Sequence, residues 1–333
     1  MTRQEICLRR LHNQHLLEKT DTRTVATDLC GVQAQFLNHA LHGLSLRSDA
    51  DTRHLVKSWT LRGTMHLFDK DDLPLFLHEG RTRFLRPQDT LESDAWLSQS
   101  RKIYFAEYIL DSIGSGIESR EELKRLCRSK GMTETEEASL FDPWGGIIRA
   151  LCESGKISHQ VSQEKAYRLC PEFIPMDRDA AHRELACRYF AHFGPATVKD
   201  AAYFLGWTQK EVKQQLSRLD VDSFPLVNHV FHYVPGACPE TAFPSVLFLA
   251  GFDQLMLGYE KQESLFLPAR HLREIFTRSG IVRPALIVNG TVSGYWNLKN
   301  RKLTVTPFVP LDENTVREAA KLQWQDLKAV EFA

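Results

Sequence analysis

Apolar and polar positions repeat in a fixed order along the middle of the chain. "SREELKRLCRSKG" (119–131) sets Leu123 and Leu126 at helical spacing behind Ser119 and Glu122, the residue pair of a capping box. "DPWGGIIRALCESGKI" predicts a second helix ending at Gly155, and "SHQVSQEKAYRL" predicts two short alternating runs about a polar turn. Helix, helix, hairpin is the order of a winged helix. The order returns in "GPATVKDAAYFLG", in "TQKEVKQQLSRL" with Thr208 and Glu211 as a further capping box, and in the strands of "FPLVNHVFHYVP". A more degenerate copy opens the chain, with helices over 3–18 and 24–46 and then "SWTLRGTMHLF". There Trp59, Leu61, Met65 and Leu67 alternate with Ser58, Thr60, Arg62, Thr64 and His66.

Beyond Pro239 the pattern turns β-rich. "PSVLFLAGFDQLML", "RPALIVNGTVSGYW" and "RKLTVTPFVPL" read as strands, and Asn289-Gly290 as a two-residue hairpin turn. "DENTVREAAKLQWQDLKAVEF" reads as a closing amphipathic helix. The expected fold class is α+β: three tandem winged-helix modules (1–70, 119–176 and 177–238) with a helical connector (71–118). A β-rich domain (239–312) and a terminal helix (313–333) follow, joined without long linkers into one body.

Composition narrows the classes. A chain of 333 residues exceeds one ordinary core, and 43% hydrophobic with 25% charged residues is globular. No run approaches the roughly 18 apolar residues of a membrane span, and the charged start "MTRQEICLRR" does not read as a signal peptide, so a cytoplasmic protein is expected. Seven cysteines without a CxxC pair argue against a disulfide framework and a thiolate zinc site, and most are expected as buried small hydrophobes. His39 with His42, and His229 with His232, lack a third ligand at metal spacing, and HExxH, GxSxG, P-loop and GxGxxG motifs are absent. No metal and no cofactor are expected. Asp253 and Glu260 in "AGFDQLMLGYE" read equally as buried anchors or as catalytic acids.

The net charge of zero argues against a polyanion partner, but the distribution permits one. Between Leu265 and Thr306, Arg270, Arg273, Arg278, Arg283, Lys299, Arg301 and Lys302 stand against the single acid Glu274. Arg81, Arg83 and Arg86 form a second cluster. On the presumed recognition helices, Lys210, Lys213 and Gln214 share one side, and Arg149 follows Trp144. A winged helix can also be only a scaffold.

"GVQAQFLN" (31–38) holds two glutamines in an apolar stretch. In one regular helix over 24–46, Val25, Leu29, Val32, Phe36 and Leu44 define an apolar stripe. Gln33 falls inside it, whereas Gln35 joins His39 and His42 on the polar face. A core amide must find partners or cost a few kcal/mol. Gly31 weakens the helix by about 1 kcal/mol relative to alanine, and a departure from helical geometry there would let both amides face one pocket.

"GVQAQFLNHAL", "SWTLRGTMHLF" and "LAGFDQLMLGYE" followed by "FLPARHLREIFTRSGIVRPALIVNGTVSGYW" together resemble, in order and spacing, the winged-helix DNA glycosylases of the AlkZ and YcaQ type. The resemblance covers nearly the whole chain. It implies three winged helices and a carboxy-terminal barrel-like domain around a concave DNA-binding channel, and excision of N7-alkylated purines with unhooking of interstrand crosslinks. The family's catalytic signature is Gln, an apolar residue, then Gln or Asp; it falls here on Gln33, Ala34 and Gln35, similar to the AlkZ branch. The implied partner is double-stranded DNA with alkylated purines, met by a monomer. Arg62, His66 and the basic carboxy-terminal cluster are carried over as residues that hold DNA or shape the pocket, and the turn at Asn289 as the candidate for a hairpin inserted toward the lesion. The competing reading from another class is a non-catalytic winged-helix DNA-binding or regulatory protein.

Overall fold

A computed structural model describes residues 1–236 and 242–333, and the expected module boundary at 238/239 and Cys238 lie outside them. The chain divides into two compact units, Thr52–His182 and Met1–Asp51 with Arg183–Ala333.

In Thr52–His182 the strands lie in the order Met65–Asp69, Leu55–Trp59, Ile157–His159, Tyr167–Leu169, all antiparallel to their neighbours. Both expected hairpins of this region are present. Helices Gln99–Gly114, Arg120–Ser129, Glu134–Leu140 and Gly146–Glu153 bury Phe105, Ile109, Leu123, Leu140, Ile147 and Leu151 in one core with Trp59, Ile157 and Tyr167. One local expectation fails. Ser119 occupies the N-cap position with extended backbone, but its side chain makes no cap hydrogen bond. The reciprocal capping box forms instead at Thr133 and Glu136, opening a helix that the sequence reading passed over, because its seven residues carry little apolar periodicity.

The other unit begins with helix Arg3–Asn13, capped by Thr2 and Glu5, and ending earlier than expected because His15 adopts a left-handed φ of 58°. From residue 183 it takes in the rest of helix Arg178–His192, then helices Val198–Leu205 and Gln209–Leu216 and hairpin Asp222–Leu226 with His229–Tyr233. The expected box at Thr208 and Glu211 is formed in both directions. A five-stranded sheet follows, in the order Val246–Phe248, Ala285–Val288, Thr291–Lys299, Lys302–Pro307, Ala329–Phe332. Asn289 and Gly290, with φ of 46° and 78°, make the hairpin turn, as Asn-Gly does where both central residues need positive φ.

This sheet is open rather than barrel-like: it is not closed on itself, and its edges are the first and last strands. The terminal helix also stops sooner than expected, spanning Glu313–Gln323, and the chain ends in a strand parallel to Lys302–Pro307. Alternation explains the difference. Val330 is buried and Glu331 exposed, a period of two in a stretch that the helical reading had absorbed. Val316 and Ala320 of the helix share a core with Phe248, Leu286, Trp296, Leu303 and Val305. Among the described residues, no helix is long and apolar enough to cross a membrane.

Candidate active site

The 24–46 segment is two helices, Thr22–Asp28 and Leu37–Ser45, and the single-helix geometry does not hold. Asp21 caps the first, its side chain accepting from the Thr24 amide. The same helix ends in a Schellman motif: the Cys30 N–H donates to Thr27 O at 3.1 Å and the Gly31 N–H to Ala26 O at 2.8 Å. Cys30 and Gly31 both have positive φ, 52° and 82°. Gly31 supplies at no steric cost a conformation that side-chain-bearing residues rarely adopt. Val32 and Gln33 are then extended, and the next helix starts after Phe36.

Burial separates the two glutamines. Gln33 is buried, at 6% exposure, while Gln35 is exposed. Of the expected apolar stripe, Val25, Leu29, Val32 and Leu44 are buried. Phe36 is 48% exposed, stacked on Phe252 with ring centroids 5.5 Å apart.

Gln33 contributes to a small crevice also lined by His39, Gly43, Arg47, Gly251, Asp253 and Gln254. Asp253 is a buried anchor. Its carboxylate takes two bonds from Arg47, at 2.8 and 3.0 Å, and accepts from the Leu255 amide at 2.9 Å. Arg47 also donates to the carbonyls of Gln14 and Gly43. The carboxylate that lines the crevice is therefore neutralised in place. Glu260 lies elsewhere, accepting from the Gln262 amide at 3.0 Å and standing 3.8 Å from Lys199. Burial holds the imidazoles of His39 and His42 below the usual histidine value, so both are neutral at pH 7. His42 donates to the Phe248 carbonyl at 2.8 Å and stacks on Trp324. His39 sits so close to Gly251 that a Cβ there would stand 3.0 Å from its ring.

Gln254 is the residue that the sequence reading missed beside Asp253. It is buried, and its Nε2 donates to the Gly31 carbonyl, at the point where the helix has just broken. A polar residue in the apolar run "DQLML" was the available signal.

The profile of the family described as DNA glycosylase AlkZ-like matches residues 26–330. The chain belongs to that family. It is a DNA glycosylase, an enzyme that cleaves N-glycosyl bonds, and its substrate is DNA. An "Interstrand DNA cross-link repair glycosylase" of Streptomyces sahachiroi is 26% identical over 350 residues, 94% of this chain and 92% of its own. The solved structure of Streptomyces sahachiroi DNA glycosylase AlkZ matches with a TM-score of 0.76 at 20% identity, over 100% of this chain and 99% of that one. That likeness speaks for the fold.

The basic and polar residues expected to hold DNA fall into two groups. Lys210 and Lys213 are exposed on helix Gln209–Leu216, opposite buried Val212 and Gln215, and Arg270, Lys299 and Asn289 are exposed as well. Others are already engaged, Arg283 half-buried and Arg301 and Lys302 at the surface. Arg283 donates to the Glu274 carbonyl at 3.0 Å and lies over the Tyr295 ring, while Arg301 pairs with Asp326 at 2.9 Å and Lys302 with Glu331 at 2.6 Å. The acids that meet Arg301 and Lys302, Asp326 and Glu331, come from the terminal segment, beyond the basic run between Leu265 and Thr306.

In Thr52–His182, Arg149 pairs with Glu153 at 2.7 Å and lies over Trp59 at 5.4 Å. Arg81 and Arg86 are likewise paired, with Glu153 and with Asp89 and Asp142. Arg62 is half-buried with φ of 56°. His66 is fully buried, its Nδ1 2.9 Å from Thr60 Oγ1, and burial pushes its pKa down to about 3.

Proposed function

We propose that this glycosylase hydrolyses the N-glycosidic bond of purines made cationic by N7-alkylation, without a covalent enzyme intermediate, and that Gln33 and Gln35 are its catalytic residues. The observation that carries the reading is the electrostatic neutrality around Gln33: amides, a neutral imidazole, and a carboxylate already held by Arg47. Such a site has dipoles to offer rather than a strong acid or base. A purine alkylated at N7 needs no more. Its positive ring draws the electron pair of the C1′–N9 bond as that bond breaks, and the base departs neutral without prior protonation. Water attacks C1′ and loses its proton to solvent. The two amides hold this water and stabilise the positive charge developing on the sugar, as preorganised dipoles do.

The break at Gly31 releases both glutamines from a single helix, and Gln35, beyond the two-residue strand Val32–Gln33, is exposed where an approaching nucleotide can meet it. Exposed Phe36, stacked on Phe252, adds an aromatic face on which a base can stack. Exposed Lys210, Lys213, Arg270, Lys299 and Asn289 are the residues proposed to hold double-stranded DNA, with winged-helix modules as their frame. The chain's likeness to the Streptomyces sahachiroi interstrand DNA cross-link repair glycosylase extends the proposed substrates to interstrand crosslinks.

The deciding assay incubates the protein with duplex containing 7-methylguanine and counts alkali-labile sites, with borohydride added in parallel. Abasic product without a trapped adduct is expected. Retained DNA binding with no abasic product would sink the reading, and a borohydride-trapped complex would overturn the absence of a covalent intermediate.

A further inference from the structure

We propose that His15, Asp28 and His192 form a binding site for one divalent transition-metal cation of borderline softness, with Zn2+ as the type case. None of the three lines the crevice at Gln33. They come from three places in the chain: just past helix Arg3–Asn13, at the last residue of helix Thr22–Asp28, and at the last residue of helix Arg178–His192.

The ligand atoms lie within 4.8 Å of one another. The two carboxylate oxygens of Asp28 face different rings, with Oδ2 at 2.7 Å from His15 Nε2 and Oδ1 at 3.3 Å from His192 Nε2. A tetrahedral ion with bonds of about 2.0–2.1 Å separates its ligands by about 3.3 Å. Ligation through Oδ1 keeps the 3.3 Å spacing to His192, while the His15 ring, now 2.7 Å from the other carboxylate oxygen, turns toward the same ion. Two imidazoles and a carboxylate make the donor set of an open-sided zinc or similar site, and the side chains, 17–26% exposed, leave room for water as a remaining ligand.

The second observation concerns the His192 tautomer. Its Nδ1 stands 3.3 Å from the Asn13 carbonyl oxygen, which can only accept, so Nδ1 carries the hydrogen. In the neutral ring, Nε2 then turns a lone pair toward Asp28 Oδ1, itself an acceptor. Two acceptors at this distance call for a cation between them. A ring hydrogen donated to a backbone carbonyl is also the arrangement that orients metal-bound histidines. A bound ion would join three chain segments immediately before the break that leads to Gln33.

The test is equilibrium dialysis of the full-length protein against Zn2+, with Co2+ as a spectroscopic probe. We expect one equivalent bound, a visible Co2+ spectrum of nitrogen and oxygen ligands, and a higher Tm on loading. His15→Gln and Asp28→Asn should each weaken binding at least tenfold and lose the Tm rise. Less than one equivalent bound by the wild type would overturn the proposal, leaving a proton as the cation that joins these groups. A thiolate charge-transfer band, or unchanged affinity in both variants, would overturn it by placing the ion elsewhere. Should a variant fail to fold, the stoichiometry and Co2+ spectrum of the wild type decide alone.

Discussion

Gln254 donates its side-chain amide to the backbone carbonyl of Gly31, the left-handed residue at which the chain leaves helix Thr22–Asp28 and turns toward Gln33. A buried carbonyl deprived of its donor costs about 1–3 kcal/mol. Gln254→Leu is therefore expected to lower unfolding stability by that amount in urea titrations. It should also slow excision of 7-methylguanine under single-turnover conditions while leaving the Kd for DNA within about twofold. Loss of binding in proportion to rate would show that Gln254 supports the DNA surface rather than the Gln33 segment.

The two glutamines should separate in their effects. Gln35 is exposed, and substitutions at such positions usually change stability by less than about 0.5 kcal/mol. Gln35→Ala should keep the wild-type Tm and DNA affinity and lose about 100-fold or more in excision rate, the scale of removing one preorganised dipole. Gln33→Ala, at a buried position, should lose rate and also destabilise by about 1–3 kcal/mol. A Gln35→Ala enzyme of normal rate would remove Gln35 from the proposed chemistry.

The elements with local signals were legible in the sequence. Thr208 and Glu211 announced a helix start, Asn289-Gly290 a hairpin, and Gly31 the weak point of the 24–46 segment, since each depends on residues a few positions apart. What was not legible depends on partners far along the chain. Arg301 and Lys302 look like part of a basic face until Asp326 and Glu331 arrive on the last segment. Gln254 and Gly31 are 223 residues apart. His15, Asp28 and His192 meet across more than half the chain, so no ligand spacing could reveal them.

The Arg47–Asp253 pair is buried on both sides, with side-chain exposures of 2% and 1%. Removing one partner strands the other charge, which costs about 3–5 kcal/mol, whereas replacing both with apolar residues is often close to neutral. Asp253→Leu should be severely destabilised in urea, and Arg47→Met/Asp253→Leu should recover most of the loss. Additive single-site effects in this double-mutant cycle would show that the two side chains act independently.

The unit Thr52–His182 carries an acid sensitivity of its own. Burial pushes the pKa of both His66 and His159 down to about 3, and the Nε2 of each is buried without a hydrogen-bond partner among the described residues. An unfolded histidine titrates near 6.5, so between about pH 6.5 and 3 the unfolded state binds more protons than the folded one. The contribution is fully present above pH 6.5 and falls as the pH drops, by about 1.4 kcal/mol per pH unit for each histidine. His159 sits between the rings of Trp59 and Tyr167, at 5.2 and 4.8 Å, so His159→Phe keeps an aromatic side chain in place while removing one titrating group. His78 of the same unit is also held below the usual histidine value by burial, so hydrogen exchange of residues 52–182 at pH 7, 6 and 5 should give a shallower but not flat pH dependence in the variant than in the wild type. Equal slopes would mean that the acid sensitivity of this unit arises from groups other than His159.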